Sequence, residues 1–461
     1  MTPGADQPVR TRVERDTGDV PGERPSDVRP RARLEIAVTV AVLVGAALVS
    51  WFRLPATTRG TLWAEDAALF LQQRLDLGPW TTLGTQYDGY QHLLARLLTD
   101  VAVLAPADDY ALVLTALACA VVGGASALVF FFTRGVVASS ASRVVLAFIP
   151  ALVPLGPIEV SGNLANLHWY LLYLAPFALL WRPRTGKGSA AVAVLLGVVA
   201  LSEIQAVVFA PLVLLALRHR RSWPGMFAFA GGLAVQVVTS LTNPRVRPDL
   251  PASDPVDVAV GYLTQPVLGT WAPVPDTNAA LMVFHGGVPL AIAAFVPFVI
   301  ALAVALATRW RARSVLVVTL ALGSVLVWTL DVTLNRTDLI DFGTRGPSIV
   351  AQVGYLRYAV VPSMFLLAVL TLGCDRLIAS TRAILRVPGW VVLVAVVVTQ
   401  LIWFVPFNTV RSAGPEWDDG VIGAVVECEA GADEARIDAA PGGWGTTVDC
   451  DGLDDADAPL P

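Results

Sequence analysis

The sequence predicts an all-α polytopic membrane protein of about 11 transmembrane helices, with a small polar segment at its carboxy end. Three observations carry that expectation. Of 461 residues, 55% are apolar and only 15% charged, with a mean hydropathy of +0.64, and a soluble chain of that composition lacks the polar surface to cover its core. Apolar runs of about 20 residues, the length that crosses a bilayer at about 1.5 Å per residue, recur along the chain. Short basic connections alternate with long ones, the pattern of a chain threaded with its short loops in the cytoplasm.

Residues 1–34 are rich in Pro, Arg, Asp and Gly and carry seven Arg, which predicts a disordered cytoplasmic leader. With no small-residue cleavage site after the first apolar run, that run reads as a retained anchor. The membrane domain is expected over 35–408. Spans are placed near 35–52, 110–132, 144–158 and 166–181, then 224–242, 286–308, 313–331, 358–374 and 389–408. Between them, 189–217 is apolar but interrupted at Leu201-Ser202-Glu203-Ile204-Gln205. A single crossing would bury Glu203 near mid-bilayer at a cost of roughly 2.5–3.5 kcal/mol, and basic residues flank both ends, so a hairpin of two short arms with Glu203 in its turn is preferred.

That threading puts the segments 53–108, 243–285 and 332–357 on the outer face, together with an acidic tail, 409–461. Cys428 and Cys450 lie in the tail and are expected to form a disulfide there, whereas Cys119 and Cys374 fall in apolar spans. Alternating runs at 423–426 and 446–448, with a Pro441-Gly442-Gly443 turn, predict a small strand pair. No internal repeat, nucleotide-binding loop or metal-ligand spacing is present, and nothing in the pattern calls for a nucleic acid. The energy for any reaction must arrive with the substrate.

Four groups could carry chemistry. Glu65 and Asp66 follow the first span: one could act as general base on an acceptor hydroxyl while its neighbour orients the acceptor or holds a divalent cation, or Asp66 could simply cap the helix 67–75. Asp88, Tyr90 and Arg96 lie on a stretch whose Tyr90, Leu93, Leu94 and Leu97 have helical spacing, read as a surface helix that either recognises a sugar or anchors at the interface. Asn163, Asn166 and Tyr170 fall on one helical face beside His168, with Glu203 at the same level, suited to sugar hydroxyls or to neighbouring helices. Arg345, Arg357 and Tyr358 precede the tenth span, where a guanidinium can bind a phosphate or snorkel to headgroups.

On the acidic pair and the topology, the segment 35–408 resembles the C-type glycosyltransferase superfamily (GT-C), including its actinobacterial arabinofuranosyltransferases, whose polytopic enzymes use polyprenyl-phosphate sugars and carry an acidic motif in the first outer loop. Glu65-Asp66 matches that motif; the large soluble carboxy-terminal domain of many members is here only about fifty residues. The resemblance implies a membrane glycosyltransferase that moves a sugar from a polyprenyl-phosphate donor to a cell-envelope glycan or glycolipid at the outer face. The alternatives are a polysaccharide polymerase or ligase, an exporter of lipid-linked sugar, and a non-catalytic envelope scaffold.

Overall fold

The computed structural model describes residues 25–245, 253–273, 277–307, 311–335, 357–453 and 456–460. The chain divides into a short first unit, Met1–Val38, whose described part begins helix α1 (Pro25–Phe52), and a second, Thr39–Pro461, holding everything else. The architecture is a bundle of apolar helices. The long ones are α1, α4 (Tyr110–Phe132), α5 (Ser140–Leu152, continued by the helical turn Gly156–Glu159 into one 20-residue apolar segment), α8 (Trp223–Thr242), α9 (Thr277–Leu306), α10 (Arg311–Leu334), α11 (Arg357–Ile378) and α12 (Ala383–Ile402), with two shorter apolar helices, α6 (Leu167–Leu180) and α7 (Gly186–Ser202). Two further helices, α2 (Gln72–Gly84) and α3 (Leu93–Ala102), lie in the first long connection.

Among the described residues eight helices are long and apolar enough to cross a membrane, against the eleven spans expected. The difference lies at α6, α7 and the segment after Glu203. At about 1.5 Å per residue, the 14 residues of α6 reach only about 21 Å. Segment 204–219 starts as a 3-10 helix, Ile204–Phe209, and continues as a six-residue helix, Pro211–Ala216.

Exposure shows what solvent the bundle is built for. Leu241 is 76% exposed, Phe227 66% and Val391 61%, all on helices with no polar stripe to explain them, so these faces meet lipid. Helix α11 is the opposite case: it is buried along its whole apolar length and forms the centre of the bundle. Small residues allow the close approaches. A Cβ placed at Gly232 of α8 would lie 2.6 Å from the Cβ of Ala200 on α7, and one at Gly225 would meet Leu196 and Val192. These pairs advance together, so α7 and α8 run parallel. Ser189 Oγ, near the start of α7, donates to the carbonyl of Arg221, just before α8. The chain therefore rises along α7, folds back at Glu203, and rises again along α8.

Buried ions tie the helix ends together. Arg53, at the end of α1, donates to the carbonyls of Ala151 (2.6 Å) and Phe404 (2.8 Å), capping the closing turns of α5 and α12. At the opposite end of the bundle Asp375 accepts the amides of Ala138 (3.1 Å) and Ser139 (2.8 Å) and pairs with Arg313 at 2.5 Å.

The tail folds as α13 (Trp417–Glu429) and an antiparallel pair, β1 (Glu434–Ala439) and β2 (Trp444–Asp449), in the register Glu434 opposite Asp449 and Ala439 opposite Trp444. The pair turns at 441–443 as the sequence predicts, but its first strand is 434–439. Residues 423–426 are instead helical: Ala424 lies with Trp417 and Val421 on the buried face of α13, and Val426 is exposed. Cys428 and Cys450 are joined by a disulfide, with Cα atoms 5.3 Å apart.

Candidate functional site

A cavity of about 440 Å³ opens at the end of the bundle where Arg53 and the tail lie, lined by six separate segments. The first connection supplies Glu65, Tyr87, Asp88 and Tyr90; the start of α6 supplies Asn166, His168 and Trp169; the fold-back supplies Glu203 and Gln205. Ser240 and Arg245 come from the end of α8 and just beyond it, Asp331 and Asn335 from the end of α10, and Arg357 and Tyr358 from the start of α11. Arg345 lies outside the described residues.

Glu65 and Asp66 part company here. Glu65 faces the cavity: Tyr87 Oη donates to its Oε1 at 3.2 Å, and Arg357 Nη1 stands 4.0 Å from the same oxygen. Its Oε2 has no hydrogen-bond partner among the described residues. Asp66, one residue on, does not line the cavity. It is fully buried, and its two oxygens accept the amides of Leu164 (3.0 Å) and Ala165 (2.8 Å). It therefore clamps the turn that leads into α6, and it makes no side-chain cap on its own helix, which begins as a π-helix, Asp66–Leu71. Burial pushes the Asp66 carboxyl up to about 7, against the two amides and the Arg411 charge, which favour ionisation.

Tyr87-Asp88-Gly89-Tyr90 is a tight turn. Tyr87 and Tyr90 exchange backbone hydrogen bonds of 2.7 and 3.0 Å, and Asp88 and Gly89 both have positive φ, 46° and 85°, the geometry that favours Asp-Gly. Tyr90 is thus outside the helix expected to carry it; α3 starts at Leu93, after the chain has turned. Asp88 pairs with Arg245, which also donates to Asn335. Arg96 departs from expectation too. It is buried behind the cavity, donating to Gln73 Oε1 at 2.9 Å over the ring of Phe70.

At the start of α6 the expected single face dissolves, because the helix begins only at Leu167. Asn163 sits in the preceding turn, fully buried, where its Nδ2 donates to the Glu159 carbonyl and its Oδ1 accepts from Asn166. Asn166 reaches the cavity wall and accepts from Trp169 Nε1 at 3.0 Å. Tyr170 bonds to Ser161 Oγ inside the protein. His168 lines the cavity and gives its Nδ1 to Glu203, which also accepts the Gln205 amide at 2.6 Å and so caps the 3-10 turn at the fold-back. Behind it His92 donates through Nε2 to the Ala165 carbonyl (3.0 Å), and burial holds its pKa well below the usual range.

Residues in or against this cavity that were not singled out by sequence include Glu159, Gln205, Ser240, Arg245, Asp331 and Asn335. Arg357 Nη1 donates to Glu159 Oε1 at 3.1 Å, placing one guanidinium between two carboxylates. Gln205 donates to Asp331. Glu159 and Asp331 had a readable signal, since each is an ionisable residue inside or at the end of an apolar run. Among the described residues no three His, Cys, Asp or Glu side chains converge as metal ligands.

The arrangement offers a carboxylate beside a guanidinium, the aromatic rings of Tyr87, Tyr90, Trp169 and Tyr358, and the amide and acid groups of Asn166, Gln205, Asp331 and Asn335. Such a set can accept a proton, bind an anion and hydrogen-bond a polyol.

No family model matches the chain, and no curated protein matches it. Among solved structures it is similar to the arabinofuranosyltransferase AftD from Mycobacteria, with 16% sequence identity and a TM-score of 0.47 over 86% of this chain. The match covers 29% of that chain, so the protein described here spans under a third of its length.

Proposed function

We propose that this membrane protein is a glycosyltransferase that moves a sugar from a polyprenyl-phosphate donor to a cell-envelope glycan or glycolipid, with Glu65 as its general base. The observation that carries the reading is the meeting of Glu65, Tyr87 and Arg357 in a polar cavity at one end of an otherwise apolar bundle. In lipid such a concentration of ionisable groups is costly unless it serves a reaction or a ligand.

In this mechanism Glu65 takes the proton from an acceptor hydroxyl, and the oxygen attacks the anomeric carbon of the donor. The bond from that carbon to the phosphate oxygen breaks, its electron pair leaving on polyprenyl phosphate, whose charge meets Arg357. A single displacement of this kind inverts the anomeric configuration. Asp66 takes no part in the proton transfer. Its role is to hold the turn 161–165, and with it Asn166, His168 and Trp169, against the cavity.

We assign the cavity to the outer face. The opposite end of the bundle carries Arg184, Lys187, Arg220, Arg221, Arg313 and Arg376 near helix ends, and cytoplasmic connections collect such charge. The test is transfer by the purified protein in liposomes, supplied with polyprenyl-phosphate pentoses and hexoses and an envelope lipid extract as acceptor. Product with inverted configuration and release of polyprenyl phosphate is expected; retained configuration contradicts the single displacement.

A further inference from the structure

We propose that Arg411, beyond the last span, is a positioning residue for the cavity, and that the tail 409–460 is through it a working part of the site. This rests on the reading of the cavity as the transfer site.

The guanidinium of Arg411 is fully buried and, among the described residues, makes no hydrogen bond to a carboxylate. Its Nη1 donates to the carbonyls of Thr61 (3.1 Å) and Gly162 (3.0 Å), and its Nη2 to that of Ser161 (2.7 Å). Those carbonyls belong to the two segments that enter the site: 61–66, which ends on Glu65 and Asp66, and 161–165, which delivers Asn166 and His168. Asp66 grips the same turn from its other side, through the amides of Leu164 and Ala165. The guanidinium on the carbonyls and the Asp66 carboxyl on the amides thus hold one five-residue turn from its two sides. Gly162 makes the fit possible. Its φ is +76°, and a Cβ there would lie 3.1 Å from Arg411 Nη2.

The rest of the tail holds the same stretch at two more points. The Ala440 amide donates to the Leu62 carbonyl at 3.0 Å, three residues before Glu65. Gln72 Oε1, seven residues after it, accepts from Thr446 Oγ1 (2.8 Å) and from the Thr447 amide (2.7 Å). Trp417 Nε1 anchors α13 to the Ala107 carbonyl at 2.7 Å. Glu65 is therefore bracketed along the chain by contacts to the tail. Removing the guanidinium takes a donor from three buried carbonyls, of which that of Gly162 keeps the Thr115 hydroxyl at 3.2 Å, and frees both walls that the turn and loop supply.

The experiment uses the full chain in lipid nanodiscs, comparing wild type with Arg411→Met and Arg411→Lys by hydrogen exchange and by transfer kinetics. Arg411→Met is expected to speed exchange at least about tenfold in segments 57–66 and 159–168 while α11 and α12 stay protected. It should also lower kcat about 10- to 100-fold with donor KM changed less than about threefold, since misplacing a reacting group costs rate more than binding. Arg411→Lys, which keeps the charge and part of the bonding, should recover part of both. If Arg411→Met does not accumulate, Arg411→Lys and Gln72→Met decide, each expected to loosen only the segment it touches. Unchanged exchange in both segments, or faster exchange with wild-type kcat, overturns the proposal. The exchange measurement needs no substrate, so a wild-type protein without transferase activity would sink the functional reading while leaving this test standing.

Discussion

Glu65 and Asp66 are neighbours in the chain and occupy opposite environments: Glu65 meets Tyr87 and Arg357 at the cavity, and Asp66 is sealed beneath it, bonded to the amides of Leu164 and Ala165. An acidic doublet here divides into a group that faces substrate and a group that builds the wall.

Asp66→Asn should cost stability before it costs chemistry. Asn can accept only one of the two amides through Oδ1, and its Nδ2 then confronts the other N–H. The expected loss is about 1–3 kcal/mol, the cost of an unmatched buried donor, measured as a lowered unfolding midpoint in nanodiscs.

The same residue makes stability depend on pH. Its carboxyl titrates near 7 in the folded protein against an ordinary value of 3.8. The folded state therefore holds a proton that the unfolded state releases, and stability is full below about pH 4 and falls as pH rises toward and through about 7. Unfolding midpoints between pH 4 and 8 should decline in wild type relative to Asp66→Asn, in which this component is absent.

Glu203 closes the fold-back twice, by pairing with His168 and by capping the 3-10 turn at Gln205. Glu203→Ala loses the cap and leaves the imidazole without its partner, an expected cost of about 1–3 kcal/mol. Transfer should fall as well, because His168 and Gln205 both line the cavity. Glu203→Gln, which keeps an acceptor oxygen, should lose less on both counts.

The disulfide joins Cys428 to Cys450, 22 positions apart in the tail. A bridge across a loop of that length is worth about 3 kcal/mol in the chain-entropy account. The paired Cys428→Ser and Cys450→Ser variant should therefore show a tail cut sooner by protease, with the spans unaffected.

Topology can be read with single cysteines, since Cys119 and Cys374 are buried and the other two are bridged. Arg221→Cys and Thr85→Cys should label from opposite sides of the membrane. Labelling of both from one side would contradict the fold-back at Glu203.

Much of the fold is legible in the sequence because membrane insertion is a local matter of apolar length. The break at Glu203 is legible for the same reason, since a polar quintet cannot continue an apolar span cheaply. Boundaries within polar connections are less so. Tyr90 shares helical spacing with Leu93 and Leu97, yet the Asp88-Gly89 turn takes precedence and ends any helix before it. The site is legible only in part. Glu65, Asp88, Tyr90, Asn166, His168, Glu203, Arg357 and Tyr358 do meet at the cavity, while Asp66, Arg96 and Asn163 stand behind it, because spacing along a chain does not say which neighbour a buried side chain will find. Arg245 and Asn335 are single polar residues at helix ends, a common place for them. Only the convergence of α8, α10 and the first connection gives them a partner.

The most direct measurement is the rate of sugar transfer by Glu65→Gln and Asp66→Asn, each compared with wild type at equal amounts of folded protein in liposomes. Removing a general base should lower the Glu65→Gln rate by about 100- to 10,000-fold without lowering its unfolding midpoint, while folded Asp66→Asn keeps most of its rate. Transfer by Glu65→Gln within about twofold of wild type would contradict the assignment of Glu65 as the base.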